Sequence, residues 1–169
     1  AGLQLRDSIG VPADLSGSVS YFKRACDQSV AETDSASAGD GCASLALAYQ
    51  NGIGVEPNPG RAVSLYRRGC DLGSGYSCNG LGILLTGTLT GPPDTGKAVA
   101  LYAQSCLLKL PAGCGNYGHE LTIGWTGREP DIIEGRRLLD ESCKQGFLAG
   151  CSWLASADLQ AGRDTAAAL

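Results

Sequence analysis

With 169 residues, 43% hydrophobic and 18% charged, the chain suits one domain with a sizeable buried core. Its 13 basic and 17 acidic side chains give a formal net charge of −4. An acidic chain without a Lys/Arg cluster argues against nucleic acid or anionic membrane as the main partner, and no apolar run approaches the roughly 18 residues that signal a membrane span.

The predicted elements follow a register set by eight cysteines, at 26, 42, 70, 78, 106, 114, 143 and 151. From the second pair onward the two members are evenly spaced, and the pairs recur with a fixed period of roughly 36 residues, the signature of a solenoid. Residues 1–16 lie outside this repeat, as a lead-in or partial cap. The first helix of the first unit is expected at 17–28. The polar stretch Ala31–Ala38, an insertion in this unit, precedes a second helix at 41–51. With Glu32, Asp34 and Asp40 it reads as a flexible acidic loop. The later units are expected to place first-type helices at 60–72, 96–108 and 133–145. Their second-type helices are expected at 77–86, 113–123 and 148–161. Residues 163–169 form a tail that either extends the last helix or frays.

Within the first-type helices, small residues stand at Ser18, Ala62, Ala98 and Gly135, followed by Tyr21-Phe22, Leu65-Tyr66, Leu101-Tyr102 and Leu138-Leu139. In the second type, Leu45-Ala46, Leu81-Gly82, Tyr117-Gly118 and Leu154-Ala155 recur at one distance from the cysteine. Such spacing gives one buried stripe per helix. Asp158 alone breaks the last apolar position, as suits a terminal repeat facing water. Gly52, Gly73, Gly87, Gly124, Gly146 and Gly162 follow the apolar runs, where a left-handed residue is favourable. The loops NGIGVEPNPG, GTLTGPPDTG and GWTGREPD are Gly/Pro-rich breakers in three successive units. Gly80, Gly82 and Gly118, inside helices, are expected where neighbouring helices pack too closely for a Cβ.

Eight cysteines admit two readings. Oxidised pairs would place the protein in an exporting pathway; reduced thiols or a zinc site would suit the cytosol. No two cysteines stand within CxxC-like spacing, which favours the first. A chain that opens on Ala1 and holds no Met is expected to be a processed protein with its leader removed, or a fragment.

The segment RAVSLYRRGCDLGSGYSCNGLGILLTG, preceded by NGIGVEPNPG, resembles the Sel-one-like repeat, a relative of the tetratricopeptide repeat. The evenly spaced cysteine pairs resemble its cysteine-rich secreted bacterial subgroup. The resemblance covers about residues 17–162. It implies an all-α fold, a right-handed αα-superhelix or solenoid of about four disulfide-stapled helix pairs. It also implies bridges Cys26–Cys42, Cys70–Cys78, Cys106–Cys114 and Cys143–Cys151, each joining the end of one helix to the start of the next. The expected setting is periplasmic or secreted, and the expected role is a protein–protein interaction module. Its partner would be another envelope, secreted or toxin protein, neutralised or scaffolded. The loop GTLTGPP departs from the family's G-x-G-V pattern.

No cofactor, metal site or catalytic residue is expected. His119-Glu120 lacks the second histidine of a zincin, since position 123 is Ile123. Ser20 and Lys23 match the S-x-x-K string of penicillin-recognising enzymes, and some cysteine-rich relatives are described as penicillin-binding or weak β-lactamases; neither S-D-N nor K-T-G accompanies the string. That hydrolase reading stands as the alternative. The remaining feature is a surface. If the second-type helices line the concave side, Leu47, Ile83 and Leu84 would form an apolar floor, with Asn51 also facing the groove. Asn116, His119 and Glu120 would flank it, with Trp153 as aromatic anchor. Trp125 is a second exposed-aromatic candidate.

Overall fold

The computed structural model describes residues 15–27, 35–88, 91–125 and 127–167, with side chains through Gln160. Among them are eight α-helices and no strand: α1 (Leu15–Asp27), α2 (Ser35–Asn51), α3 (Pro59–Asp71), α4 (Gly75–Thr86), α5 (Thr95–Leu107), α6 (Pro111–Ile123), α7 (Ile132–Lys144) and α8 (Leu148–Ala167). Odd-numbered helices are the first type and even-numbered the second. They fall into two compact units, residues 1–93 and 94–169.

Local chemistry fixes where the helices start. The side chains of Asn58, Ser74, Asp94 and Asp131 accept from the backbone N–H of Arg61, Ser77, Lys97 and Glu134 at 2.9–3.1 Å. Each thereby satisfies one of the donors that a helix N-terminus leaves unpaired. Pro59 and Pro111 occupy the first turn, where a missing N–H costs nothing.

Four disulfides tie the helices in neighbouring pairs: Cys26–Cys42, Cys70–Cys78, Cys106–Cys114 and Cys143–Cys151, with Cα atoms 4.3–4.7 Å apart. In the first unit, Cys26, Cys42 and Leu45 form a core against which Val19, Phe22, Tyr49, Leu65 and Leu72 pack. In the second, Cys114, Leu121 and Leu138 do the same with Cys106, Tyr117 and Trp125. The small first-type positions Ser18, Ala62, Ala98 and Gly135 are all buried. Gly135 shows why they are small: a Cβ there would lie 2.7 Å from the Gly118 carbonyl oxygen, and one on Gly118 would lie 2.8 Å from that of Gly135. The α6 and α7 backbones approach too closely for a larger residue.

Several expectations are corrected. Helix α2 begins at Ser35, well before residue 41, so part of the expected loop is helical. Its added turn is packed: Ala38 and Gly39 are buried, Ser77 Oγ donates to the Gly39 carbonyl at 3.0 Å, and Ser74 Oγ donates to the Asp40 carboxylate at 2.5 Å. Glu32 and Asp34 lie outside the described residues, as does most of the N-terminal lead-in. Gly162 does not end helix α8, which runs on to Ala167, so the tail extends the last helix. Gly87 leaves α4 with φ −84° and an extended ψ, so no left-handed residue is needed there. Gly52, Gly73, Gly124 and Gly146 do take positive φ, and Lys109 takes φ 64° in the slot that Gly73 and Gly146 fill elsewhere. Tyr21, expected in the core, is exposed with its ring edge-on to Phe22; Phe22 takes the inward position. Asp158, by contrast, is exposed as expected, and it is ion-paired to Arg136 of α7.

Candidate functional site

The second unit carries a groove of ≈ 300 Å³ between α6 and α8, lined by His119, Thr122, Ile123, Ile132, Trp153, Ser156, Ala157 and Gln160. Its centre is a ring stack. His119 on α6 and Trp153 on α8 lie 4.4 Å apart between centroids, 14° from parallel. Phe147 also meets the indole, edge-on, with centroids 5.9 Å apart. Burial holds the His119 imidazole below its ordinary pKa of 6.5, so at neutral pH it is an uncharged aromatic ring. Thr122 Oγ1 donates to the His119 carbonyl at 2.7 Å, turning its hydroxyl toward the helix backbone. Ile123 is 57% exposed at the end of α6, and Ile132 is exposed at the start of α7. The lining residues carry no formal charge at neutral pH.

Of the residues expected to line a concave face, the structure brings His119 and Trp153 together. Glu120 and Asn116 are half-buried on the same helix. Burial raises the Glu120 carboxyl above its ordinary 4.5. In the first unit Leu47, Asn51 and Ile83 are exposed on α2 and α4, as expected of a surface. Leu84 is not: at 2% exposure it belongs to the core and is unavailable to a partner. Ala48, at the matching position of α2, is buried as well. In the first unit that side of both second-type helices is covered, since α4 packs on both α3 and α2. Trp125 is half-buried in the second core, under the Arg128 guanidinium at 5.6 Å, with its backbone paired to that of Arg128. It serves loop packing. Thr122 and Ile132 were missed as groove residues. Ile132 follows the Asp131 cap, and only the α6/α7 packing reveals that it reaches the groove lip.

A second cavity of ≈ 510 Å³ lies among α5, α6 and α7 and is charged. There Arg137 donates to both oxygens of Glu134 at 2.7 Å and to Glu141 at 3.2 Å, so the guanidinium is already engaged. Arg137 in turn holds the Glu134 carboxyl below the usual carboxylate range. Ser20 and Lys23 are both exposed on α1. Among the described residues no group of three or more His, Cys, Asp or Glu is placed to hold a metal, and no helix is long and apolar enough to cross a membrane.

Paired helices tied at their junctions by disulfides define a stapled α-helical repeat protein, and comparison with known proteins narrows the class. The Sel1 repeat matches at residues 3–30, 39–74, 75–110 and 111–147. The chain belongs to the Sel1 repeat family, whose repeats are in general protein-interaction modules and typically non-catalytic. No curated protein matches it. Among solved structures it is similar to c5321, a protective antigen present in uropathogenic Escherichia coli strains displaying an SLR fold. That match has a TM-score of 0.77 at 20% identity and covers 94% of this chain and 32% of the other. A Sel1 repeat protein from Oxalobacter formigenes matches with TM-score 0.74 and 19% identity, over 92% of this chain and 60% of that one. Helicobacter pylori cysteine rich protein B matches with TM-score 0.57 and 22% identity, over 86% and 98%. This chain thus spans about a third of the first of these proteins and 60% of the second. The fold class is that of an all-α solenoid, and four disulfides of this kind persist in an oxidising compartment.

Proposed function

We propose that this chain is an exported binding module that captures a partner protein in the α6/α8 groove, in the periplasm or outside the cell. The observation that carries this reading is the uncharged groove floored by the His119–Trp153 stack, with Ile123 and Ile132 at its lip. A large aromatic anchor among aliphatic side chains in a concave site is where binding energy concentrates. Disulfide-tied helix pairs lose little conformational freedom on binding, which favours affinity. Asn116 and Glu120 flank the stack along α6. Leu47, Asn51 and Ile83 give the first unit an exposed patch of its own. In this reading residues 17–162 carry recognition, with 1–16 and 163–169 as flanking segments. Similarity to a protective antigen and to a cysteine rich protein supports an extracytoplasmic setting. Neutralisation of a toxin, as an immunity protein does, is one specific form of the same role.

The test is capture by the immobilised oxidised chain, compared with Ile123→Asp and Trp153→Ala. Both variants are expected to lose the partner, and Ile123→Asp is expected to keep its thermal midpoint because that side chain already faces solvent. Capture of the same protein by both variants as by wild type would refute the groove as the site.

A further inference from the structure

The cations of the first unit gather on one pair of helices. All five among its described residues, Lys23, Arg24, Arg61, Arg67 and Arg68, stand on α1 or α3, and all are exposed. Arg68 donates to the Asp27 carboxylate of α1 at 3.2 Å, so the two helices present these side chains side by side. Against five cations, α1 and α3 carry two carboxylates, Asp27 and Asp71. Arg61 lies over the Tyr49 ring, 4.8 Å from its centroid, a contact that leaves its charge unneutralised. The side chains of Lys23, Arg24 and Arg67 have no ion pair or hydrogen bond among the described residues.

The second unit reverses the signs at the same repeat positions. Counted back from the cysteine near the end of each helix, Arg61, Arg67 and Arg68 of α3 correspond to Glu134, Asp140 and Glu141 of α7. Those three carboxylates are engaged by Arg137 and Lys144 of their own helix. Lys97 and Arg136, the other described helix cations of that unit, are salt-bridged to Asp94 and Asp158. The second unit thus neutralises its helix cations internally, and the first does not. Packing does not impose the difference, since these side chains face solvent in both units.

We propose that the α1/α3 face of the first unit docks an acidic segment of a partner protein, at a surface separate from the α6/α8 groove. Four of the five cations are arginines, whose guanidinium forks take carboxylates bidentately. Asp27 and Asp71 select a peptide over a phosphate polymer. They would repel nucleic acid, whose charge recurs at a fixed spacing, whereas a peptide can set a neutral or basic side chain opposite them. The chain as a whole is acidic, with formal net charge −4, so this face is a local exception in its field and orients an approaching acidic segment. Exposed ion pairs contribute little singly and are screened by salt, so affinity comes from several engaged together and falls as salt rises.

Fluorescence anisotropy of a dye-labelled peptide of alternating Glu and Gly, titrated with the oxidised chain at low and at physiological salt, tests this. Binding is expected at low salt and is expected to weaken as salt rises. Lys23→Glu and Arg67→Glu, both exposed and unpaired, are each expected to weaken it by about tenfold, with unchanged far-UV circular dichroism and thermal midpoint. Lys109→Glu makes the same change of charge in the second unit, and Ile123→Asp alters the groove; both are expected to bind the peptide as wild type does. No binding of the acidic peptide, equal binding of its Gln/Gly counterpart, or a Lys109→Glu loss as large as that of Lys23→Glu would each overturn the proposal. So would tighter binding to single-stranded DNA of equal charge, or to phosphatidylglycerol vesicles, than to the acidic peptide.

Discussion

The imidazole of His119 lies on the indole of Trp153, centroids 4.4 Å apart and planes 14° from parallel, and this contact links α6 to α8. It makes one titratable group part of an aromatic stack. Burial favours the neutral ring and lowers the His119 pKa from 6.5. Below 6.5 the unfolded chain takes up the proton first, so the native state loses stability as pH falls toward the lowered value and no further beneath it. Urea unfolding of wild type across this range is expected to show that decline. His119→Phe, which keeps a ring and removes the titration, is expected to flatten it.

Glu120, next along α6, has the opposite dependence. Burial raises its carboxyl above 4.5, so the native state prefers the protonated form. Its contribution is fully present below 4.5 and is lost as pH rises through the raised value. Glu120→Gln, a neutral isostere, is therefore expected to raise the thermal midpoint near neutral pH and to leave it unchanged below about pH 4, where wild type is already protonated. A midpoint that is lower at neutral pH would mean that the ionised carboxylate supports the fold.

Lys109 holds φ 64° in a slot that glycine fills in two other turns. A left-handed conformation costs a residue with a Cβ about 1 kcal/mol. Lys109→Gly is expected to stabilise by up to that amount, less the added freedom of the unfolded chain. This corresponds to a rise of about 2–4 °C in thermal midpoint per kcal/mol for a chain of this size. Differential scanning calorimetry of the oxidised protein reads it directly.

Gly118→Ala inserts a Cβ that would lie 2.8 Å from the Gly135 carbonyl oxygen. Backbone on the far side cannot swing away, so α6 and α7 must separate. A loss of about 1–3 kcal/mol is expected, as for an overpacked core. Gly96→Ala is the control, since a Cβ there would approach only the Asp94 carboxylate, at 3.8 Å. Equal midpoints for the two variants in chemical denaturation would contradict the close approach described for these helices.

The cysteine register and the recurring small positions made the helix pairing legible, because a stapled hairpin is local and its period survives in one dimension. Helix ends were less so. Helix α2 gained its added turn from packing that no spacing rule reports: Gly39 and Asp40 are used by Ser77 and Ser74, far along the chain. Leu84 was misplaced for a related reason. A helical wheel separates one buried side from one exposed side, but a second-type helix is covered on two, by its own first-type helix and by the adjacent second-type one. The groove was half legible. His119 and Trp153 sit at unlike positions relative to their cysteines, so their stack depends on the offset between α6 and α8. Ile132 reaches the groove only through the packing of α7 on α6.

Each staple brackets a short stretch of chain between two sulfurs, sixteen residues in the first case and eight in the other three. Under tension applied at the two ends, those bracketed stretches stay slack while the remainder straightens. At about 3.4 Å per extended residue, each shorter bracket spans roughly 27 Å of contour and withholds about 22 Å of it, since the bridge itself crosses 4.3–4.7 Å between Cα atoms. The oxidised protein is therefore a shorter tether than its residue count suggests, and reduction would lengthen it in discrete steps.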